Sequence, residues 1–290
     1  MLAIVVYMQR KYLNFKPEKM RFRRIEFSLV GCIAVGFSFL VTGCTSFKAV
    51  IAISKSTAHF LVLGENAALK YERGSEELAS LISPHLFESI RQVESKQHPI
   101  FMNEVTIYVP GSIDSYASYC VSEKSSACVI GNRLFMSPRL LGNWERIPKI
   151  LIHELSHLQF NQFLGTVKQQ TNIPAWFSEG LAVYVSAGGG AENVTREEAI
   201  LAIKSGRSIE PAGTGSLFFQ QTAKNYKMKP HMFYRQASTY IEWLAGSNDG
   251  QFKGFISELI NGIALDEAMI SSYVFNVVDG WQKFTSSTRQ

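Results

Sequence analysis

Two histidines and a glutamate stand at a spacing that suits a metal site on a helix. The segment from His153 to His157 reads His-Glu-Leu-Ser-His, so the histidines are four positions apart. On an α-helix, positions i and i+4 lie on one face about one turn apart, so both imidazoles can bind one metal ion. Glu154 projects beside that pair, where its carboxylate can take a proton from a metal-bound water. The segment therefore predicts a zinc site with its own general base.

Two histidines need a third partner, because a catalytic zinc site usually has three protein ligands and one water. A metzincin-like third histidine is excluded, since Phe160 and Phe163 occupy the positions of its glycine and histidine. A nearby cysteine ligand is excluded too, because no cysteine follows Cys128. Glu179 remains, in an apolar stretch that predicts a mostly buried second helix. A buried, unpaired carboxylate is costly, so a bound metal explains Glu179 better than a structural role does.

These two segments together resemble the gluzincins, or peptidase MA-like zinc peptidases. The specific part of the resemblance is His153–His157 followed by Pro174–Tyr184, which reads Pro-Ala-Trp-Phe-Ser-Glu-Gly-Leu-Ala-Val-Tyr. A softer part covers Tyr234–Ser238 and Phe252–Ala268, so the resemblance extends over roughly residues 100–285. It implies a zinc-dependent peptidase that acts on peptides or proteins, with one Zn²⁺ bound by the two histidines and by Glu179, and with Glu154 as base.

The resemblance also implies a side chain that stabilises the tetrahedral oxyanion beside the metal. Tyr234 is the first candidate, and His231 and Tyr240 are the alternatives. The Gly-x-Met-Glu-Asn motif, with which the aminopeptidase branch holds a free amine, is absent from the sequence. This absence favours an endopeptidase over an aminopeptidase.

The net charge of +5 comes entirely from the N-terminal segment. Residues 1–44 contain seven basic and two acidic residues, which gives +5, and the remainder has 22 of each sign. The basic balance therefore describes that segment and predicts no nucleic-acid partner.

The N-terminal segment is typical of a bacterial lipoprotein signal. Met20–Arg24 is a short basic region, Phe27–Thr42 is an uncharged, mostly apolar run of 16 residues, and Val41–Cys44 resembles a lipobox. Residues 1–19 would then be an upstream mis-start. The alternative is a single transmembrane helix, for which the run is short, since about 20 residues cross a bilayer.

We therefore expect Cys44 to carry the lipid and residues 1–44 to be the signal. Thr45, rather than aspartate, follows the cysteine, which by resemblance to Gram-negative sorting rules favours the outer membrane, facing the periplasm. Residues 45–57 are predicted as a tether, and residues 58–290 as one zincin-like domain.

The remaining cysteines outside the signal predict a disulfide. Cys120 and Cys128 are eight positions apart in a polar stretch, and an oxidising periplasm favours their pairing. The alternative is a pair of free or metal-binding thiols, but this spacing does not match a zinc knuckle.

The patterns along the chain predict an α/β (α+β) zincin-like fold, with a small sheet, an active-site helix and a mostly helical C-terminal part. Val129–Met136 is predicted as an edge strand that binds extended substrate by strand addition. Strands are predicted at 105–109 and 133–136, and a loop or lid is predicted at 205–230. Helices are predicted at 58–72, at about 145–164, 232–246, 251–262 and 265–272, and two more are predicted to begin at Ser83 and at Pro174.

The sequence thus predicts a membrane-anchored zinc peptidase. The alternative is a degenerate peptidase-fold lipoprotein that acts as a binding module. The intact Glu154 argues against degeneration, because loss of the base would be its simplest sign.

Overall fold

The computed structural model describes residues 52–120, 122–217 and 219–289. The predicted signal, with Cys44, therefore lies outside the described residues, as do positions 45–51 of the predicted tether. Among the helices that the structure describes, none is both long and apolar enough to cross a membrane.

A small mixed sheet forms the N-terminal part of the described chain. Its strand order is β1-β2-β3-β5-β4, with β2, β3 and β5 parallel and the outer strands β1 and β4 antiparallel to their neighbours. The strands are β1 (Leu61–Leu63), β2 (Asn66–Tyr71), β3 (Ile107–Val109), β4 (Ala127–Ile130) and β5 (Arg133–Met136).

The helix predicted at 58–72 is wrong, because this segment forms the β1–β2 hairpin. Gly64 has a φ of 56°, a left-handed conformation that glycine adopts readily and that turns the chain between the strands. The alanine, leucine and lysine positions do fit a helical stripe. Pairing of β2 with β3 buries Leu69 completely, however, so tertiary contacts override the local pattern.

Helices make up most of the rest. They are α1 (Glu76–Ile82), α2 (Leu86–Gln97), α3 (Ile113–Tyr119), α4 (Ile147–Asn172), α5 (Ala175–Val185), α6 (Arg196–Lys204), α7 (Pro230–Ser247), α8 (Asp249–Ile260), α9 (Leu265–Tyr273) and α10 (Val277–Arg289). The helices predicted from Ser83, from Pro174 and in the C-terminal part correspond to α2, α5, α7, α8 and α9. The predicted strands correspond to β3 and β5, whereas α1, α3, α6 and α10 were not predicted.

The long helix α4 is the centre of the fold. It follows a 3₁₀ segment, Pro138–Arg146, so the predicted start near Glu145 is two residues early. Leu151, Leu155 and Leu158 are fully buried between the sheet and the neighbouring helices. Gly165, with φ 70° and ψ 158°, interrupts the helix where the sequence predicted its end, and a second helical stretch then continues to Asn172.

Residues 52–57, the described end of the predicted tether, pack against the domain. The Arg133 guanidinium donates hydrogen bonds of 2.7–2.8 Å to the backbone carbonyls of Ala52, Ile53 and Lys55. The Lys55 ammonium lies 4.1 Å from the centre of the Tyr119 ring. This segment is therefore fixed at the start of β5.

Cys120 and Cys128 form a disulfide that joins the end of α3 to β4. Of the strands β4 and β5, β4 is the edge strand and β5 is internal, because β5 lies between β3 and β4. The edge strand predicted at 129–136 is therefore corrected to Ala127–Ile130. The disulfide holds one end of that edge strand to the body of the domain.

Candidate metal centre

The side chains of His153 and His157 converge from neighbouring turns of α4. Their Nε2 atoms are 3.2 Å apart. The opposite ring nitrogens have protein partners: Nδ1 of His153 donates to the carbonyl of Gly189 at 2.9 Å, and Nδ1 of His157 contacts the hydroxyl of Ser178 at 3.1 Å. The Gly189 carbonyl can only accept, so it fixes the tautomer of His153 that presents the Nε2 lone pair, while Ser178 orients the ring of His157.

Glu179 brings a carboxylate to the same point from α5. Its Oε2 lies 3.4 Å from Nε2 of His153 and 3.8 Å from Nε2 of His157. The three ligand atoms all lie within 4.8 Å of one another. The helix α5 supplies both this carboxylate and the neighbouring Ser178 that holds His157.

The distances between these donor atoms fit a tetrahedral zinc ion. Zinc binds nitrogen and oxygen at about 2.0–2.2 Å, so two of its tetrahedral ligands lie about 3.3–3.5 Å apart. The observed separations of 3.2, 3.4 and 3.8 Å match this edge length closely. Two imidazoles and a carboxylate are also a donor set that catalytic zinc sites use. The residues present therefore fit zinc.

The charges around the three ligands favour a cation between them. Burial lowers the pKa of His153, but the Glu179 carboxylate and Glu154 outweigh burial and raise that pKa above its ordinary value. Burial raises the pKa of Glu179, yet the two histidines lower it further, so its carboxylate stays ionised. Burial, with the neighbouring His153, lowers the pKa of His157 and keeps its imidazole neutral. A neutral imidazole and an ionised carboxylate are the forms that bind a metal.

Glu154 faces the cleft beside the ligands. Burial is the largest influence on its pKa, which rises to about 7 because the negative charge of Glu179 adds to burial and His153 only partly opposes them. A carboxylate with a pKa near neutrality can both accept and return a proton. The surroundings of Glu154 therefore suit a general base.

The three candidates for the oxyanion stabiliser lie in different places. Tyr234, on α7, is close enough to Glu179 and Glu154 that their charges, with burial, raise its pKa well above the ordinary value. His231 accepts a hydrogen bond from the backbone N–H of Asn193 at 3.1 Å. Tyr240 is fully buried and donates to the carbonyl of Val277, so it belongs to the core. Tyr234 is therefore the candidate that the charges of Glu179 and Glu154 place beside the cluster.

Sequence reasoning did not find two groups that hold the histidines. No role was predicted from the sequence for the turn Gly188–Gly190, yet the carbonyl of Gly189 orients His153. A side chain on Gly190 would lie 2.8 Å from the His153 ring. Ser178 was quoted only as part of the α5 stretch. Its position directly before Glu179 was the available signal, because the residue next to a metal ligand on a facing helix can reach the second histidine.

An open cleft of about 400 Å³ leads to Glu154, His157 and Glu179. Its lining includes apolar side chains from residues 52–57 and from β4, namely Ile53, Val129 and Ile130. It also includes neutral amides, namely Gln169, Gln170 and Gln220. Gln220 comes from the predicted loop or lid at 205–230, so this loop forms part of the cleft wall. The edge strand β4 lies along the cleft, as substrate binding by strand addition requires.

Fold and site together define a class: α+β proteins in which two facing helices beside the edge of a small sheet bring together a His-His-Glu cluster that could hold a metal ion. A family model, described as the Peptidase MA superfamily, matches residues 136–287, which is 152 of the 290 residues. The chain belongs to this superfamily and has its peptidase-like fold. No curated protein matches the chain at a significant level. The matched region begins at the last residue of β5 and includes His153, Glu154, His157, Glu179 and Tyr234.

Proposed function

We propose that this protein is a membrane-anchored, zinc-dependent endopeptidase. The observation that carries the proposal is the convergence of three ligand atoms, at separations of 3.2–3.8 Å, beside Glu154 in an open cleft. When bound, zinc supplies an activated water and polarises the scissile carbonyl. His153, His157 and Glu179 would hold it.

The chain's own groups then have distinct roles in this proposal. Glu154 takes the proton of the attacking water and delivers it to the leaving amine, as its pKa of about 7 permits. The Tyr234 hydroxyl donates to the oxyanion, since its raised pKa keeps the phenol protonated. The backbone of β4 pairs with extended substrate and places the scissile bond over the ligands.

Glu154→Gln tests this chemistry without disturbing the ligands. We expect stoichiometric zinc in both wild type and variant, measured by elemental analysis, and loss of casein cleavage in the variant alone. Glu145→Gln is the matched control, because Glu145 is exposed shortly before α4 and outside the site. Full zinc with no cleavage of casein or of a peptide library by the wild type would instead favour the binding module. Retained cleavage by Glu154→Gln would exclude Glu154 as the base.

We propose that Cys44 is the lipid attachment site, supported by the basic region, the apolar run and the lipobox-like Val41–Cys44. Labelled palmitate should enter wild type and Cys32→Ser but not Cys44→Ser, because only Cys44 follows the small residues of the lipobox. By the same proposal, membrane fractionation should find the wild type in the outer membrane. Palmitate incorporation into Cys44→Ser would contradict the assignment.

A further inference from the structure

Exposed apolar side chains lie in the cleft wall or close in the chain to residues that line it. Ile53, 49% exposed, lies in its wall, Val167, 62% exposed, directly follows the lining residue Thr166, and Phe219, 84% exposed, directly precedes Gln220. Leu217, 40% exposed, is on the same loop. We call these four residues the cleft rim.

A hydrogen bond joins the two chain segments that carry three of the cleft-rim residues. Gln220 Nε2 donates to the carbonyl of Gln170 at 2.8 Å, which ties the loop of Phe219 to the helical stretch of Val167. Single exposed apolar residues are common on protein surfaces and need no explanation. A group of them around the mouth of one cleft marks a surface that contacts something apolar.

The position of Ala52 and its short distance along the chain from Cys44 indicate which apolar surface this would be. The described chain begins at Ala52, next to Ile53 in the cleft wall, and Arg133 fixes it there. Cys44 precedes Ala52 by eight residues, which span at most about 29 Å when fully extended. A globular domain of about 240 residues is roughly 45 Å across. With a lipid anchor at Cys44, the face of the domain that carries Ile53 therefore cannot point directly away from the membrane.

From these observations we propose that the cleft rim contacts the phospholipid surface, so that the cleft opens toward the bilayer. Its substrates are then polypeptide segments close to that surface, such as the membrane-adjacent parts of other anchored proteins. This inference rests on the proposed anchor and, for the substrates, on the proposed peptidase activity.

The charge of the loop agrees with a lipid contact. Residues 205–229 contain four basic side chains and one acidic side chain, and all four basic ones, Arg207, Lys224, Lys227 and Lys229, are exposed. Lys168 is exposed beside Val167. Exposed apolar side chains together with basic ones are a composition that binds anionic bilayer surfaces. The contact can be weak by itself, because the anchor already holds the domain at a high effective concentration.

Photo-crosslinking of the full, lipidated protein tests the contact. Benzoylphenylalanine replaces Phe219 in one variant and Phe87 in the other, in vesicles of phosphatidylethanolamine and phosphatidylglycerol. Phe87 is the matched control, because it is 71% exposed but lies on α2, outside the cleft lining. We expect phospholipid adducts from position 219 and few from position 87. Equal lipid labelling at both positions, or adducts from 219 only to protein, would overturn the proposal.

A cleavage assay tests the substrate class separately. Vesicles carry the lipidated enzyme and a membrane-anchored reporter, in which one casein-derived segment is placed 10 or 60 residues from the bilayer. We expect the near segment to be cleaved on the order of tenfold faster, since the orientation raises its effective concentration at the cleft. Equal cleavage of both would overturn the inference and leave the peptidase proposal intact. Failure to cleave casein in solution as well would instead count against the proposed activity.

Discussion

The ring of His153 packs against a backbone turn that has no space for another side chain. Gly190 has a φ of 82°, and a Cβ there would lie 2.8 Å from Cε1 of His153. The adjacent Gly189 carbonyl accepts the Nδ1 proton of the same ring. The turn therefore sets both the position and the tautomer of this ligand.

Gly190→Ala should weaken metal binding, because the new methyl group pushes the His153 ring away from its Gly189 partner. Losing such support typically lowers metal affinity by about 10–100-fold. The matched control is Gly206→Ala, since Gly206 has a nearly equal φ of 80° but no atom within 4 Å of its added Cβ. Competition with a chromogenic chelator measures zinc affinity in both. An equal loss in the two variants would show that backbone strain alone is responsible.

Tyr234→Phe should lower kcat by about 10²–10³-fold while zinc affinity stays the same, because one oxyanion donor is lost and no ligand. Tyr240→Phe should leave kcat unchanged and reduce the free energy of unfolding by about 1 kcal/mol, since it removes the buried bond to Val277. Steady-state kinetics and urea denaturation separate the two effects. A normal kcat in Tyr234→Phe would show that a group other than Tyr234 stabilises the oxyanion.

The parts of the site that sequence could predict are local. The i and i+4 spacing fixes His153 and His157 on one helix face, and the Trp-Phe-Ser-Glu-Gly stretch singles out Glu179. The Gly189 contact was not predictable, because it joins residues 36 positions apart through a loop whose path is set by tertiary packing. The same reason explains the wrong helix at 58–72, where pairing with β3 decides the structure.

At the scale of elements, the site depends on how closely α5 approaches α7. A Cβ on Gly180 would lie 2.8 Å from the backbone carbonyl carbon of Ala237, so the helices cross almost in contact. Glu179 directly precedes Gly180, and Tyr234 lies one turn before Ala237. This crossing therefore brings the third ligand and the proposed oxyanion donor to the same cleft.

Gly180→Ala should force α5 and α7 apart, because rigid backbone faces the new methyl group. Such overpacking typically costs about 1–3 kcal/mol of the free energy of unfolding, and displacement of Glu179 should also reduce zinc affinity. Gly246→Ala is the control, since Gly246 is helical and exposed with nothing within 4 Å. The control should gain up to about 1 kcal/mol from better helix propensity. Urea denaturation checks both, and a stable Gly180→Ala would show that the helices can adjust.

At the scale of the whole molecule, a metal bound at the three-residue cluster would add a further link between two helices that already touch through His157 and Ser178. His153 and His157 come from α4 and Glu179 from α5, so an ion between them crosslinks two helices. A ligand that binds only the folded protein stabilises it by mass action, by about 2.7 kcal/mol at 100 times its Kd. The helical core and the zinc site should therefore melt together.

Chelation should lower the Tm of the wild type by about 5–10 °C, since each kcal/mol shifts the Tm of a domain this size by about 2–4 °C. His157→Gln should begin from the lower Tm and respond little to chelator, because it lacks one ligand. Glu154→Gln should behave as the wild type does, because it loses the proposed base and keeps all three ligands. Calorimetry with and without EDTA measures the three proteins. A chelator-sensitive Tm in His157→Gln would mean that the stabilising ion binds elsewhere, whereas an insensitive Glu154→Gln would place Glu154 among the ligands.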